Sequence, residues 1–329
     1  MSFTCLRAPV RLGAALVIAL GLPAISACGG SSPMANAIPP GVSVRHDAGV
    51  KPNAQFSFKT INDPADPTTE ILGINNLGKI CGYYGSPYVG FYARPPYTAN
   101  KFYKELYPGA ADTVVTSINN TDALAGWYED TKGRIFGFTE WEGIWTKYQD
   151  NHLLHEPQYT KLLGLSDDEL AVGYYQLNGI DHGFELNLST GKFQSILPPG
   201  AKSSSATGIN GKGDIVGWLT LASGVTEGWL LKGGTFTEFA YPAASQTQAT
   251  GINWSDDIVG SFEDASGNTH GFVLTDVLAT PEWTQIDDPN AKGSTVVTSV
   301  NNHHAMTGYY QDGSGNIDGF LATLNQGGN

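Results

Sequence analysis

The acidic residues of this chain that could do chemistry stand at matching places, in Glu129-Asp130, Glu263-Asp264 and Gln311-Asp312. Each follows an aromatic-containing strand pattern, so the carboxylates should fall on one face of whatever the chain builds. A rim of hard oxygen donors suits Ca²⁺, which makes Glu129, Asp130, Glu263, Asp264 and Asp312 the candidate metal ligands. The alternative is plain turn chemistry: Asp264-Ala265-Ser266-Gly267-Asn268 lacks the alternating acids of a dedicated calcium loop, and Asp with Gly is ordinary in hairpins. No cofactor other than calcium is suggested. His182 and His270 occupy equivalent positions in a repeat, which accounts for both without a shared site. His303 and His304 are adjacent, and His152 and His155 lie in a longer link; neither pair has a third ligand at zinc spacing. No Gly-x-Ser-x-Gly elbow, phosphate loop or zinc-protease motif occurs, and no catalytic residue is assigned. Trp141, Trp145 and Trp254 stand in divergent loops, where an aromatic face could stack on a sugar or simply pack.

The elements that position these residues recur six times. A small residue, an aliphatic and Asn (Ser in one copy) open a turn at Asn75, Asn119, Ser166, Asn210, Asn253 and Asn301; seven residues later comes Gly82, Gly126, Gly173, Gly217, Gly260 or Gly308. These glycines are 44, 47, 44, 43 and 48 residues apart, the variation lying between copies where surface loops are free to change. Asn at the first turn position and, in some copies, Gly at the fourth suit a type I turn. Runs such as Asp257-Ile258-Val259-Gly260-Ser261-Phe262 and His270-Gly271-Phe272-Val273-Leu274 are strand-like. No sustained helical period appears beyond the N-terminal segment.

Four short strands per copy at this period predict an all-β fold, a six-bladed β-propeller of four-stranded antiparallel blades. The sixth copy stops at Leu324 with three strands, and Phe56-Ser57-Phe58-Lys59-Thr60-Ile61 supplies a fourth from the other end of the chain. An N-terminal strand completing the last blade would remove an open sheet edge. An open β-solenoid would need capping units, and neither Phe56 nor Leu324 resembles a cap. Gly73, Ser117, Gly164, Gly208, Gly251 and Ser299 are the small residues expected where inner strands converge. Tyr84, Tyr128, Tyr175, Leu219, Phe262 and Tyr310 should fill the wedge between neighbouring sheets.

Residues 1–27 read as a secretory signal: Arg7 and Arg11, an apolar run from Leu12 to Pro23 too short to span a bilayer, then Ile25-Ser26-Ala27-Cys28. Cys directly after that site resembles the bacterial lipobox, which implies acylation of Cys28 and a membrane anchor; ordinary cleavage after Ala27 or Ala37 would give a secreted protein instead. Residues 28–54 read as a flexible tether rich in Gly, Ser, Pro and Ala, and 55–325 as the propeller. Removing Arg7 and Arg11 from 18 basic residues leaves 16 against 31 acidic ones, a formal charge of −15. That excludes a basic nucleic-acid footprint. Cys81 replaces Ala, Val or Thr of other copies and is expected to be a small buried hydrophobe.

The runs from Thr207 to Phe239 and from Thr250 to Asp287 resemble the HAF repeat of bacterial extracellular proteins, named for a His-Ala/Gly-Phe step seen here as His182-Gly183-Phe184 and His270-Gly271-Phe272. Other copies depart at its first residue (Val89, Phe136, Glu227, Asp318), and Trp229 replaces Phe in the fourth. The resemblance covers nearly all of the folded part and implies an extracellular repeat protein, with no activity to carry onto particular residues. The sequence therefore points to a noncatalytic envelope protein presenting one face to a protein or glycan. A metal-assisted envelope hydrolase or lyase and a multivalent lectin are the alternatives.

Overall fold

The computed structural model describes residues 42–44, 55–64, 66, 68–149 and 159–325. The signal, Cys28, His152 and His155 lie outside the described residues, as does most of the tether. The described chain is all β, interrupted by one short 3-10 turn at Ala99–Lys101.

The chain begins with β1 (Val42–Val44) and β2 (Phe56–Thr60), whose partners come late in the sequence. Antiparallel meanders follow, each pairing its strands in sequence order. The first is β3 (Thr69–Ile74), β4 (Ile80–Tyr84), β5 (Val89–Ala93) and β6 (Phe102–Glu105). Next come β7 (Ala110–Ile118), β8 (Leu124–Asp130), β9 (Ile135–Trp141) and β10 (Ile144–Tyr148). β11 (Tyr159–Leu165), β12 (Leu170–Leu177), β13 (Ile180–Asn187) and β14 (Lys192–Ile196) form the third. β15 (Ala201–Ile209), β16 (Ile215–Leu221), β17 (Thr226–Lys232) and β18 (Thr235–Phe239) are the fourth. β19 (Gln246–Ile252), β20 (Ile258–Glu263), β21 (Thr269–Thr275) and β22 (Glu282–Ile286) are the fifth. The last meander, β23 (Thr295–Val300), β24 (Met306–Gln311) and β25 (Ile317–Leu324), has three strands; β2 pairs antiparallel with β25, Phe56 opposite Leu324 and Thr60 opposite Phe320. Single parallel bridges, Tyr159 with Ile135 and Thr226 with Gln246, join two pairs of neighbouring meanders into larger sheets. Within the stretch read as tether, β1 runs parallel to β18, Val42 beside Thr237.

Close backbone approach explains the repeated glycines. A Cβ on Gly217 would lie 2.0 Å from the Ser205 carbonyl oxygen and 2.5 Å from Trp229, so no side chain fits. Where first strands meet, a Cβ on Gly208 would lie 2.9 Å from Gly251 Cα, as expected of small residues at a convergence. Each first strand carries a register shift near its inner end, and the hydroxyls of Thr116, Thr207, Thr250 and Thr298 in these bulges donate to Leu162 O, Ala249 O, Val297 O and Ile71 O of a neighbouring meander at 2.8–2.9 Å.

The Gly-aromatic step is likewise core. Phe91, Phe138, Phe184, Trp229, Phe272 and Phe320 are all fully buried. The aromatics two residues after the anchor glycines pack between sheets: Tyr128 stacks on Tyr107 and Phe262 on Tyr241, each with centroids 3.6 Å apart. Such burial stabilises by roughly 1.5–3 kcal/mol per large side chain. Cys81 is free and buried in β4, and burial pushes its thiol pKa far up.

Candidate functional site

The Asn turns are built identically from their first residue. The Asn75 side-chain oxygen accepts the N–H groups of Leu77 (3.0 Å) and Lys79 (2.9 Å), and the Gly78 N–H donates to Asn75 O (3.1 Å). The fourth turn residue sits at positive φ, 72° at Gly78 and 65° at Asp256, a conformation Gly and Asp tolerate better than branched residues. With its oxygen engaged, the Asn amide still has N–H groups to give, and it gives one to the next turn. Asn75 Nδ2 donates to Asn119 O (3.0 Å), Asn119 to Ser166 O (3.1 Å), Asn210 to Asn253 O (3.1 Å), Asn253 to Asn301 O (3.2 Å) and Asn301 to Asn75 O (3.1 Å). Ser166 caps its own turn through Oγ but has no amide, so the link from turn 166 to turn 210 is missing.

A second set of links involves the residue after each turn opener. Asn76 N–H donates to Asn120 Oδ1, Asn120 N–H to Asp167 Oδ1, Trp254 N–H to Asn302 Oδ1 and Asn302 N–H to Asn76 Oδ1, all at 2.8 Å. Asp167 N–H would need an acceptor at position 211, which is Gly. Gly211 N–H would need one at position 254, which is Trp. Both amides are without a protein partner among the described residues.

These turns surround a cavity of about 340 Å³ lined by amides, backbone and the aliphatic ends of the first strands, Ile252 among them. Trp254 stands at its edge, 53% exposed. Its ring lies over Gly211, where a Cβ would come within 3.0 Å of Cζ3. Lys212 stands 5.7 Å from the ring centroid and pairs with Asp256 at 2.8 Å. Burial raises the Asp256 pKa, but bonds from Lys212 and Lys232 outweigh it and hold the carboxyl below its ordinary value. His304 meets Asp257 at 2.6 Å nearby. His303 N–H caps on Asn301 Oδ1, so the two histidines serve different contacts.

The candidate metal ligands occupy the opposite ends of the strands. Asp130 Oδ1 accepts the N–H groups of Lys132 and Arg134, and Arg134 Nε donates to Oδ2. Asp264 accepts from Ser266, from Asn268 and from the Asn268 side chain; Asp312 does the same with Ser314 and Asn316. The Arg134 backbone bond leads in holding Asp130 down to about 2, and the Asn268 side chain leads for Asp264, also about 2. Glu263 accepts from Ser245 Oγ at 2.9 Å. Glu129 lies near Lys161, whose charge it favours. Among the described residues no three His, Cys, Asp or Glu side chains converge in metal-binding geometry. His270 lies between Asp287 (3.0 Å) and Asp264 (3.5 Å) and stacks on Phe262; His182 stacks on Tyr175.

Trp141 and Trp145 adjoin a second cavity, of about 410 Å³, between the first two meanders. Trp141 is 52% exposed, whereas Trp145 is half-buried and packs against the core on Phe138 (5.0 Å) and Tyr107 (5.4 Å). Glu105, Glu140 and Arg94 also line this cavity. Burial, then the charge of Glu140, pushes the Glu105 pKa up to about 7. The carboxyl pair was not foreseen, because its members come from strands of different meanders. The sequence did carry the signal for the gap beside Trp254: read across copies, Asn76, Asn120, Asp167, Gly211, Trp254 and Asn302 form an amide-or-acid column broken at two successive members.

One buried and one half-buried titratable group sit on first strands at the Asp-turn end. Glu70 is 2% exposed, its Oε2 lacks a hydrogen-bond partner, and burial raises its pKa to about 8 despite the nearby Tyr83 hydroxyl. Lys161 lies 4.1 Å over the Trp127 ring, and burial lowers its pKa to about 8.

No family model matches the chain, and no curated protein matches it. Among solved structures, it is similar to a putative TolB from Agrobacterium tumefaciens at 11% identity and TM-score 0.57, over 82% of this chain and 99% of that one. It is also similar to TolB from Acinetobacter baumannii (11% identity, TM-score 0.47), covering 74% of this chain but only 63% of that one. XC5397 from Xanthomonas campestris, described as a gluconolactonase, matches at 9% identity and TM-score 0.46, over 88% and 99%. The first likeness establishes the fold, a β-propeller, and nothing about activity.

Proposed function

We propose that this chain is a noncatalytic binding or scaffolding protein of the cell envelope, a six-bladed β-propeller whose Asn-turn face receives a protein or glycan partner. Six meanders, the β2–β25 pairing and the Asn301-to-Asn75 link support a ring completed by the N-terminal strand. The observation that carries the binding proposal is a polar cavity with an exposed tryptophan at its edge, beside Gly211, where the outer set of turn-to-turn links is interrupted. Hydrophobic side chains of this size are costly to leave in water and commonly mark recognition surfaces. The HAF-like repeats and the signal-Cys28 sequence support an exported, lipid-anchored location, with secretion as the alternative.

The test is an array of glycans and envelope proteins probed with the purified chain and with Trp254→Ala. Binding that weakens at least tenfold in the variant supports the proposal; retained binding places the partner elsewhere. One observation favours a second proposal, hydrolysis: Glu105, raised toward neutrality, and Glu140 line one cavity beside Trp141. A carboxylic acid and a carboxylate are the pair that glycoside hydrolysis uses. Turnover of a chromogenic glycoside, abolished by Glu105→Gln, would establish it in place of a noncatalytic role. The cavity between the fourth and fifth meanders, lined by Tyr241, Pro242 and Glu227, differs from the Glu105 cavity. A lectin with equivalent sites therefore draws no support from these two.

A further inference from the structure

Around the Asn turns, side chains satisfy backbone groups of neighbouring turns wherever the sequence allows. The inner set fails at Ser166, which lacks an amide to donate, and the outer set fails at Gly211 and Trp254, which offer no acceptor. These departures fall at two successive boundaries: both links are missing between turns 166 and 210, and only the outer one between turns 210 and 253, where Asn210 still reaches Asn253 O. They leave the N–H groups of Asp167 and Gly211, on successive turns, without a protein acceptor among the described residues, with the half-exposed indole of Trp254 packed against Gly211. The acceptors open to such donors are a carbonyl, a hydroxyl or an anionic oxygen. Asp167 and Asp168 line the same cavity, and the chain carries a formal charge of −13, which disfavours an anion. Of the neutral acceptors, the oxygen of an amide carbonyl is the stronger. Trp254 favours a flat face of C–H groups, as a pyranose presents, and the amide-rich wall suits hydroxyls.

We infer that this sector binds the acetamido sugar of a glycan, its carbonyl accepting from the Asp167 or Gly211 N–H and its ring stacked on Trp254. This rests on the proposal that the Asn-turn face binds a partner, and it names the ligand class. Glycine at 211 is part of the site, since a larger residue there would displace the indole.

The experiment is calorimetric titration of the full mature chain with tri-N-acetylchitotriose, and with cellotriose, which puts hydroxyl in place of acetamido. The acetylated trimer should bind at least tenfold more tightly. Trp254→Ala should weaken it by tenfold or more. Trp254→Asn, which supplies the missing acceptor for Gly211 N–H, should melt at or above the wild-type temperature yet lose binding, separating recognition from folding. Cellotriose binding equally well, or a capped alanine tripeptide binding in preference, with either lost in Trp254→Ala, would overturn the acetamido assignment and leave the binding face standing. Failure of all three probes, together with an array unaffected by Trp254→Ala, would overturn both.

Discussion

At the Asn turns, one side chain caps its own turn with its oxygen and ties the neighbouring turn with its nitrogen; at the Asp turns on the opposite strand ends, both carboxylate oxygens stay inside one hairpin. The same Asx-turn chemistry serves both ends, but only an amide has a donor left over. The Asn end is therefore cross-linked meander to meander by side chains, while the Asp side chains link nothing, and the meanders meet at that end through backbone bonds such as Tyr159 with Ile135, Thr226 with Gln246 and Thr113 N–H to Tyr88 O. A cross-linked rim can hold a gap open without collapsing, which is what a preorganised site needs. The Asp turns add no such support, and their acids are already engaged by local donors.

The close-packed frame between the two ends should outweigh either. Gly217→Ala forces a Cβ to 2.0 Å from a carbonyl oxygen and into Trp229, so a loss of about 3 kcal/mol or more is expected in chemical denaturation. Gly211→Ala meets only the edge of an exposed indole that can swing away, and should cost less than about 1 kcal/mol. If Gly211→Ala proved as damaging as Gly217→Ala, the turn would be part of the frame and the contrast would fail.

At the Asp-turn end of β3, Glu70 makes a pH test. Its pKa rises from 4.5 to about 8 through burial, so between those values the folded state binds more protons than the unfolded one. Stability from this group is thus full below about 4.5 and falls as pH rises to about 8, with a slope of at most ~1.4 kcal/mol per pH unit. Glu105 adds to the slope up to about 7, while Lys161, lowered to about 8, acts in the other direction and only above it. Glu70→Gln should flatten the stability profile between pH 7 and 8 in urea titrations and exceed wild type at pH 8. A profile unchanged by the substitution would mean that Glu70 finds a partner for its charge.

These contrasts also mark what the sequence made legible. The strand pattern, the anchor glycines and the partner for Phe56–Thr60 follow from local spacing and from counting strands, and turn capping by Asn follows from residue type. Which carbonyl Asn301 Nδ2 reaches does not, because Asn75 lies 226 residues away and only the assembled fold brings them together. The Glu105–Glu140 cavity was hidden for the same reason, and Trp145 looked like Trp141 until packing separated them. The broken column at Gly211 and Trp254 was visible, but its meaning depends on knowing that each member caps its neighbour.

The linking role of the amide can be isolated at Asn301. Asn301→Ala removes the acceptor for His303 and Ala305 N–H and the donor to Asn75 O, and should cost roughly 2–3 kcal/mol at about 1 kcal/mol per bond. Asn301→Ser keeps an acceptor, as Ser166 does, and should lose only about 1 kcal/mol. Asp264→Ala at the other end should melt within the scatter of wild type, since its bonds are exposed and local.

The smallest effect is the most discriminating. Ser166→Asn supplies the one missing amide, which can reach the carbonyl of Asn210 as Asn119 reaches that of Ser166. If inter-turn links stabilise the rim, the variant should gain about 0.5–1 kcal/mol in denaturant unfolding, the net worth of one added hydrogen bond. The new side chain would also tighten the sector beside Asp167 and Gly211, so chitotriose affinity should change in the same protein. A gain in stability with no change in affinity would separate the inner links from the sugar site. No gain at all would mean that Ser166 leaves nothing unsatisfied, and that the two strand ends differ in geometry but not in strength.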